Sequence, residues 1–151
     1  MRQVQQMAFL VPLAVGACAI VMTIIVHALA LNATIRLVRR ERRLGWAGKN
    51  VWVDFPIVVL AILFALSAHL VEMAIWALLF MVLGELSTFG VAYYHSALSY
   101  TTLGDVGLSP AWGLLGPLEA ADGMLMFGVS TAMIFAVIQH LVESRYVDLR
   151  S

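Results

Sequence analysis

Long apolar runs separated by short polar stretches organise this chain. The first run, Met7 to Leu31 (MAFLVPLAVGACAIVMTIIVHALAL), contains no Asp, Glu, Lys or Arg. A hydrocarbon core about 30 Å thick is crossed by about 20 helical residues, so this run predicts a first spanning helix. Pro12 falls in its opening turns, where proline is tolerated. A second run, from about Phe55 to Leu83, predicts a second span. It is roughly 43 Å long as a straight helix and should tilt or protrude. A third run extends from about Trp112 to Leu141. Between the second and third, residues 84–111 are too polar and too rich in Gly, Ser and Thr to face lipid. Within them, Gly90 to Tyr100 predicts about three helical turns. Irregular backbone at membrane depth needs protein or water around it, so this segment reads as re-entrant.

Composition agrees. Of 151 residues, 62% are hydrophobic and 12% charged, against about 45–50% apolar and 25% charged in soluble domains. Lipid, not water, is the expected solvent. The single cysteine, Cys18, gives neither a disulfide framework nor a cysteine metal cluster. Ala28-Leu29-Ala30 resembles a signal cleavage site. The apolar run nevertheless exceeds a signal core of about 7–15 residues, and only Arg2 gives it a basic start, so a retained span is preferred.

Charge placement orients the spans. Six of the nine basic residues fall at 36–49: Arg36, Arg39, Arg40, Arg42, Arg43 and Lys49. Such a cluster beside a span stays cytoplasmic. Arg36, Arg39 and Arg42 have the spacing of a voltage sensor, but they lie past the apolar run and suit an anchor on anionic lipid better. Arg145 and Arg150 put the C-terminal tail on the same side. The N-terminus and residues 84–111 are then outside, in a prokaryotic cell membrane. From Asn50 to Val142 there is no Lys or Arg, while Asp54, Glu72, Glu85, Asp105, Glu119 and Asp122 are acidic. A passage through this window favours cations. Asp54 also suits a helix N-terminus.

Ionisable residues inside spans are candidates for function. His69 and Glu72, three apart, share a helical face that Trp76 extends. Two ligands alone do not make a metal site. The pair reads as a hydrogen-bonded contact packing span two against the short helix. Glu119 and Asp122 also share a face and either brace the segment that follows the short helix from behind or line the cavity. His27, His95 and His140 have no ligand spacing; His140, near the cytoplasmic end of span three, is a candidate pH sensor. Met73, Met81, Met124, Met126 and Met133 read as packing. The sequence offers no nucleophile–base pair, phosphate loop or nucleic-acid patch, so neither an enzyme nor a nucleic-acid partner is expected.

The stretch AYYHSALSYTTLGD, followed by PAWGLLGPLEAADGMLMFGVSTAMIFAV, resembles the pore domain of potassium-type tetrameric cation channels. That family has a short pore helix, a T-T-x-G-Y-G-D filter and an inner helix. Tyr93, Tyr94 and Ser96 fall where it carries aromatics and a serine, Gly123 and Gly128 where it carries a hinge glycine and a small residue. HLVEMAIWALLFMVLGEL is similar to its outer helix. The likeness covers about Ala68 to Val137. It implies that Thr101, Thr102, Leu103 and Gly104 present oxygens to an ion, that Asp105 supplies the outer charge, and that Gly123 is the gating hinge. Conduction replaces a cation's water shell by rings of oxygens; one chain gives one oxygen per level, so a homotetramer is implied.

The chain departs from the pattern after Gly104, where Asp105 follows directly; either a Tyr-Gly pair is missing, which the flanking lengths favour, or Asp replaces the Tyr and the register shifts. A shortened stack weakens potassium selectivity. The expectation is a passive channel for Na+ and K+, with a possible Ca2+ site at the Asp105 mouth and no resident cofactor. A potassium-selective or divalent-permeable channel, or a non-conducting scaffold subunit, are the alternatives. The expected organisation is an all-α membrane protein: residues 1–50 a first helix and basic loop, 51–142 a pore domain, and 143–151 a tail. Its expected partners are its own copies, lipid and monovalent cations.

Overall fold

The computed structural model describes residues 2–46, 50–104 and 107–148. Its elements are all helical: α1 (Arg2–Arg43), α2 (Val51–Val82), α3 (Phe89–Tyr100) and α4 (Leu115–Asp148). Three of them contain stretches long and apolar enough to cross a membrane, Phe9–Arg43, Trp52–Val82 and Leu115–Arg145. The protein is therefore a multi-pass membrane protein.

The helices outrun their apolar cores. α1 continues through the basic cluster that hydropathy alone marks as a loop, because Arg, Leu and Glu are good helix formers. Arg40, Arg42 and Arg43 occupy its last turn, beside the negative end of the helix dipole. Since α1 begins at Arg2, Pro12 lies inside the helix instead of at its start. α2 is capped by Asn50, whose side chain accepts from the Val53 amide at 2.9 Å. Asp54 stands in the first turn of α2 as its sequence position predicts, and Arg145 of α4 also donates to it.

α1 packs on α2 and α4, and α3 is wedged between α2 and α4. One apolar cluster joins Ala19 of α1, Trp76 and Phe80 of α2, Tyr100 of α3 and Met126 of α4. A second, nearer the basic end, joins Ile57 and Ala61 to Val137 and Leu141. Leucines such as Leu63, Leu66 and Leu78 are about half exposed; in a bilayer their solvent is acyl chain. Between the apolar layers lies an unusual number of buried polar groups, among them Thr23, His27, His69, Glu72, Glu119, Asp122 and Ser130.

α1, α2 and α3 end on the same hydrogen-bond pattern, in which two amides past the cap reach back to the last turn. In α1, Gly45 bonds to the Arg42 carbonyl and Trp46 to that of Glu41; in α2, Gly84 bonds to Met81 and Glu85 to Phe80. In α3, Thr102 bonds to Ser99 at 2.9 Å and Leu103 to Leu98 at 2.9 Å. The pattern demands a left-handed residue. Gly45 and Gly84 supply it at φ 67° and 75°, whereas α3 uses Thr102 at φ 60°. A β-branched residue there is an outlier costing on the order of 1–3 kcal/mol.

Candidate functional site: the Thr101 to Gly104 turn and the polar cluster behind it

The sequence-predicted ion ligands Thr101, Thr102, Leu103 and Gly104 form the turn that leaves α3. The amides of Thr101, Thr102, Leu103 and Gly104 are all used in capping. No backbone hydrogen bond among the described residues ends on their carbonyls. The Thr101 hydroxyl donates back to the Ala97 carbonyl at 2.5 Å. Leu103 is 78% exposed. A cleft of about 260 Å³ beside the turn is lined by Ser99, Thr102, Gly104, Gly116, Pro117 and Ala120. Asp105, the predicted outer charge, lies outside the described residues.

The turn is anchored from behind. Ser99 Oγ donates to the Gly116 carbonyl at 3.0 Å. Ser96 Oγ bonds to the Met73 carbonyl at 2.8 Å and also contacts Glu119. Gly123 sits against the end of α3: a Cβ there would stand 2.0 Å from the Tyr100 carbonyl oxygen. The absence of a side chain at Gly123 is required by this close approach, within a continuous α4. On the far side, Glu85 accepts from the Ser109 hydroxyl at 2.6 Å and its amide at 2.7 Å, pinning the returning chain. These two bonds, the hydroxyl's first, hold the Glu85 carboxyl below its ordinary range.

His69 and Glu72 do share a face, as their spacing predicts, with His69 Nδ1 3.0 Å from Glu72 Oε2. The expected contact with the short helix is also present: Tyr100 Oη donates to Glu72 Oε2 at 2.5 Å. Two partners were not legible from spacing. His27 of α1 places Nδ1 2.9 Å from Glu72 Oε1. Ser130 of α4 places Oγ 3.2 Å from His27 Nε2 and 3.0 Å from His69 Nε2. All four helices thus contribute to one cluster whose members are 0–5% exposed. His27, His69 and Glu72 form a set with metal-ligand atoms within 4.8 Å of one another.

A second polar knot adjoins it. Asp122 Oδ2 accepts from Thr23 Oγ1 at 2.8 Å and Trp76 Nε1 at 2.9 Å. Glu119 and Asp122, predicted on one face, therefore turn to different neighbours, Glu119 to α3 and Asp122 to α1 and α2. Both brace helices. His140 belongs to neither cluster; it lines a groove between α1 and α4 with Arg39 and Arg42. His95 is buried edge-on to Phe80, with ring centroids 4.9 Å apart.

Comparison with protein-family models, curated proteins and solved structures returns no match.

Proposed function

We propose that four copies of this chain assemble around an axis and conduct monovalent cations passively, with Thr101, Thr102, Leu103 and Gly104 as the ion-facing segment. The observation that carries this reading is the left-handed Thr102. Two other helices use glycine at the same capping position, and a strained backbone conformation is a pointer to function. Among the described residues, no backbone amide donates to the carbonyls of these four consecutive residues. Oxygens of this kind, repeated by symmetry, replace a cation's hydration shell.

The surroundings support the reading. α3 is held rigidly by α2 and α4, as a segment presenting oxygens to an ion must be. The exposed Leu103 gains cover from neighbouring copies. The turn is short and Asp105 follows Gly104 directly, so few ion sites stack in line and discrimination between Na+ and K+ is weak. Four Asp105 carboxylates concentrate cations at the outer mouth. α4 bends at Gly123 to open the inner end. The basic end of α1 and the tail after α4 face the cytoplasm.

The test is reconstitution. Purified protein in liposomes should carry both Na+ and K+ down their gradients, and cross-linking in membranes should stop at tetramer. Asp105→Asn should lower cation preference or divalent block. A chain that stays monomeric or dimeric, or one silent to both ions as a tetramer, overturns conduction; the latter outcome favours a scaffold.

A further inference from the structure

With Glu72 ionised and both imidazoles neutral, the His27–His69–Ser130 junction is one hydrogen short, and the spans around it carry no Lys or Arg. Glu72 is fully buried, and an ionised carboxylate only accepts. An ionised Glu72 contacted at 2.9 Å and 3.0 Å calls for a hydrogen on Nδ1 of both His27 and His69, and Tyr100 Oη, 3.2 Å from His69 Nδ1, donates to the same carboxylate. With Nδ1 protonated, each neutral ring presents a lone pair at Nε2. Both lone pairs converge on Ser130 Oγ, at 3.2 Å and 3.0 Å. A hydroxyl has one hydrogen and can satisfy only one of them.

Charge tells the same story. No Lys or Arg occurs between residues 3 and 35 or between 50 and 144, so the spans hold Glu72 and Asp122 without a permanent positive partner. Uncompensated charge is costly in a low-dielectric interior.

We infer that His27 Nε2, His69 Nε2 and Ser130 Oγ bind one divalent transition-metal ion of the Zn2+ or Co2+ class within the helix bundle. Two atoms ligated at about 2.0–2.1 Å around a tetrahedral ion stand about 3.3 Å apart, close to the spacings at Ser130. Imidazole nitrogens select Zn2+, Co2+, Ni2+ or Cu2+ over Ca2+, Mg2+ and alkali ions. Glu72 stands behind both rings, fixing their tautomer and raising their basicity as carboxylates do behind metal-binding histidines. It also gives the ion a counter-charge. The site ties α1, α2 and α4 together and, through Tyr100, reaches the residue before the Thr101 turn. It is separate from the conduction reading and stands whether or not the chain conducts.

The experiment uses the full chain in lipid nanodiscs, stripped with chelator and titrated with Co2+ and then Zn2+. One ion per chain should bind. Co2+ should give the visible absorption of nitrogen ligation, Zn2+ should abolish it, and excess Mg2+ or K+ should not. X-ray absorption of the Zn2+ form should show imidazole scattering with a shell at about 2.0–2.1 Å. His27→Ala with His69→Ala should remove binding, and His140→Ala should leave it intact. Glu72→Gln, acting through the rings, should weaken it by about 10–100-fold. If the histidine variant fails to fold, the wild-type spectra decide. No saturable uptake by the wild type, or uptake undiminished in a folded His27→Ala/His69→Ala chain, overturns the site. So does a nitrogen NMR spectrum showing an imidazolium and no uptake, which would make the shared cation a proton.

Discussion

The carbonyl of Tyr100 occupies the space in which residue 123 would carry a side chain: a Cβ on Gly123 would lie 2.0 Å from that oxygen and 2.9 Å from its carbon. α3 and α4 touch there backbone to backbone. The contact fixes the height of α3 and the start of the turn that follows. Small residues let membrane helices approach this way and gain dispersion contacts that larger ones forbid.

Gly123→Ala should therefore destabilise the fold by about 1–3 kcal/mol or more, because neither backbone can yield without moving a helix. Gly128→Ala is the comparison, since a Cβ at Gly128 meets nothing within 4 Å. Unfolding in mixed micelles, followed by helical circular dichroism, should separate the two. Equal losses would refute the contact.

Thr102→Gly should move stability and conduction in opposite directions. Relief of the left-handed backbone should stabilise the chain by about 1–2 kcal/mol. Removal of the hydroxyl and stiffness beside the ion path should reduce or degrade flux in liposomes. A glycine variant less stable than the parent would show that the Thr102 conformation is not strained.

Asp122→Leu should strand the Trp76 indole N–H, whose acceptor is Asp122 Oδ2 at 2.9 Å. Thr23 is less affected because its hydroxyl has the Ile20 carbonyl at 2.7 Å as a second acceptor. The loss should be about 1–3 kcal/mol. Asp122→Asn, which keeps an acceptor, should cost less. Unfolding of both variants, with the tryptophan emission as a local probe, checks the order.

The Glu85–Ser109 clamp predicts an acid sensitivity. The Glu85 carboxyl is held below its ordinary value of 4.5. Its stabilising effect is present above the unfolded value and lost as pH falls through the lower folded one. Proteolysis of the segment around residues 107–109 should thus rise on acidification below pH about 4.5. Ser109→Ala should make the segment labile at neutral pH, with little further change in acid. Unaltered protease sensitivity in that variant would argue against the clamp.

Hydropathy made the three spans and the short helix legible, since each is a local pattern set against a polar interruption. It misplaced the ends of α1 because helix propensity persists where hydrophobicity stops, from Arg36 to Arg43. The His69–Glu72 pair was readable from its three-residue spacing, and so was its role against α3. His27 and Ser130 were not, because no periodicity within α1 or α4 records which residue on another helix they meet. Arg145 reaching Asp54 is invisible for the same reason. Thr102 is a different failure: threonine is a poor choice for a left-handed cap, so local rules argue against the conformation it adopts.

The bond from Ser130 to His27 joins residues 103 positions apart, and it sets an order of events during synthesis. When α1 first enters the bilayer, Thr23 and His27 have only lipid and their own helix for company. The α2 partner of His27, Glu72, arrives next, and the α4 partners, Asp122 for Thr23 and Ser130 for His27, come only when nearly the whole chain has been made. Before α2 is made His27 has no side-chain partner, and until α4 is made Thr23 has only the Ile20 carbonyl of its own helix, which favours a translocon that retains α1 beside the growing chain. A nascent chain halted before residue 115 should remain extractable or prone to degradation, whereas the finished one locks.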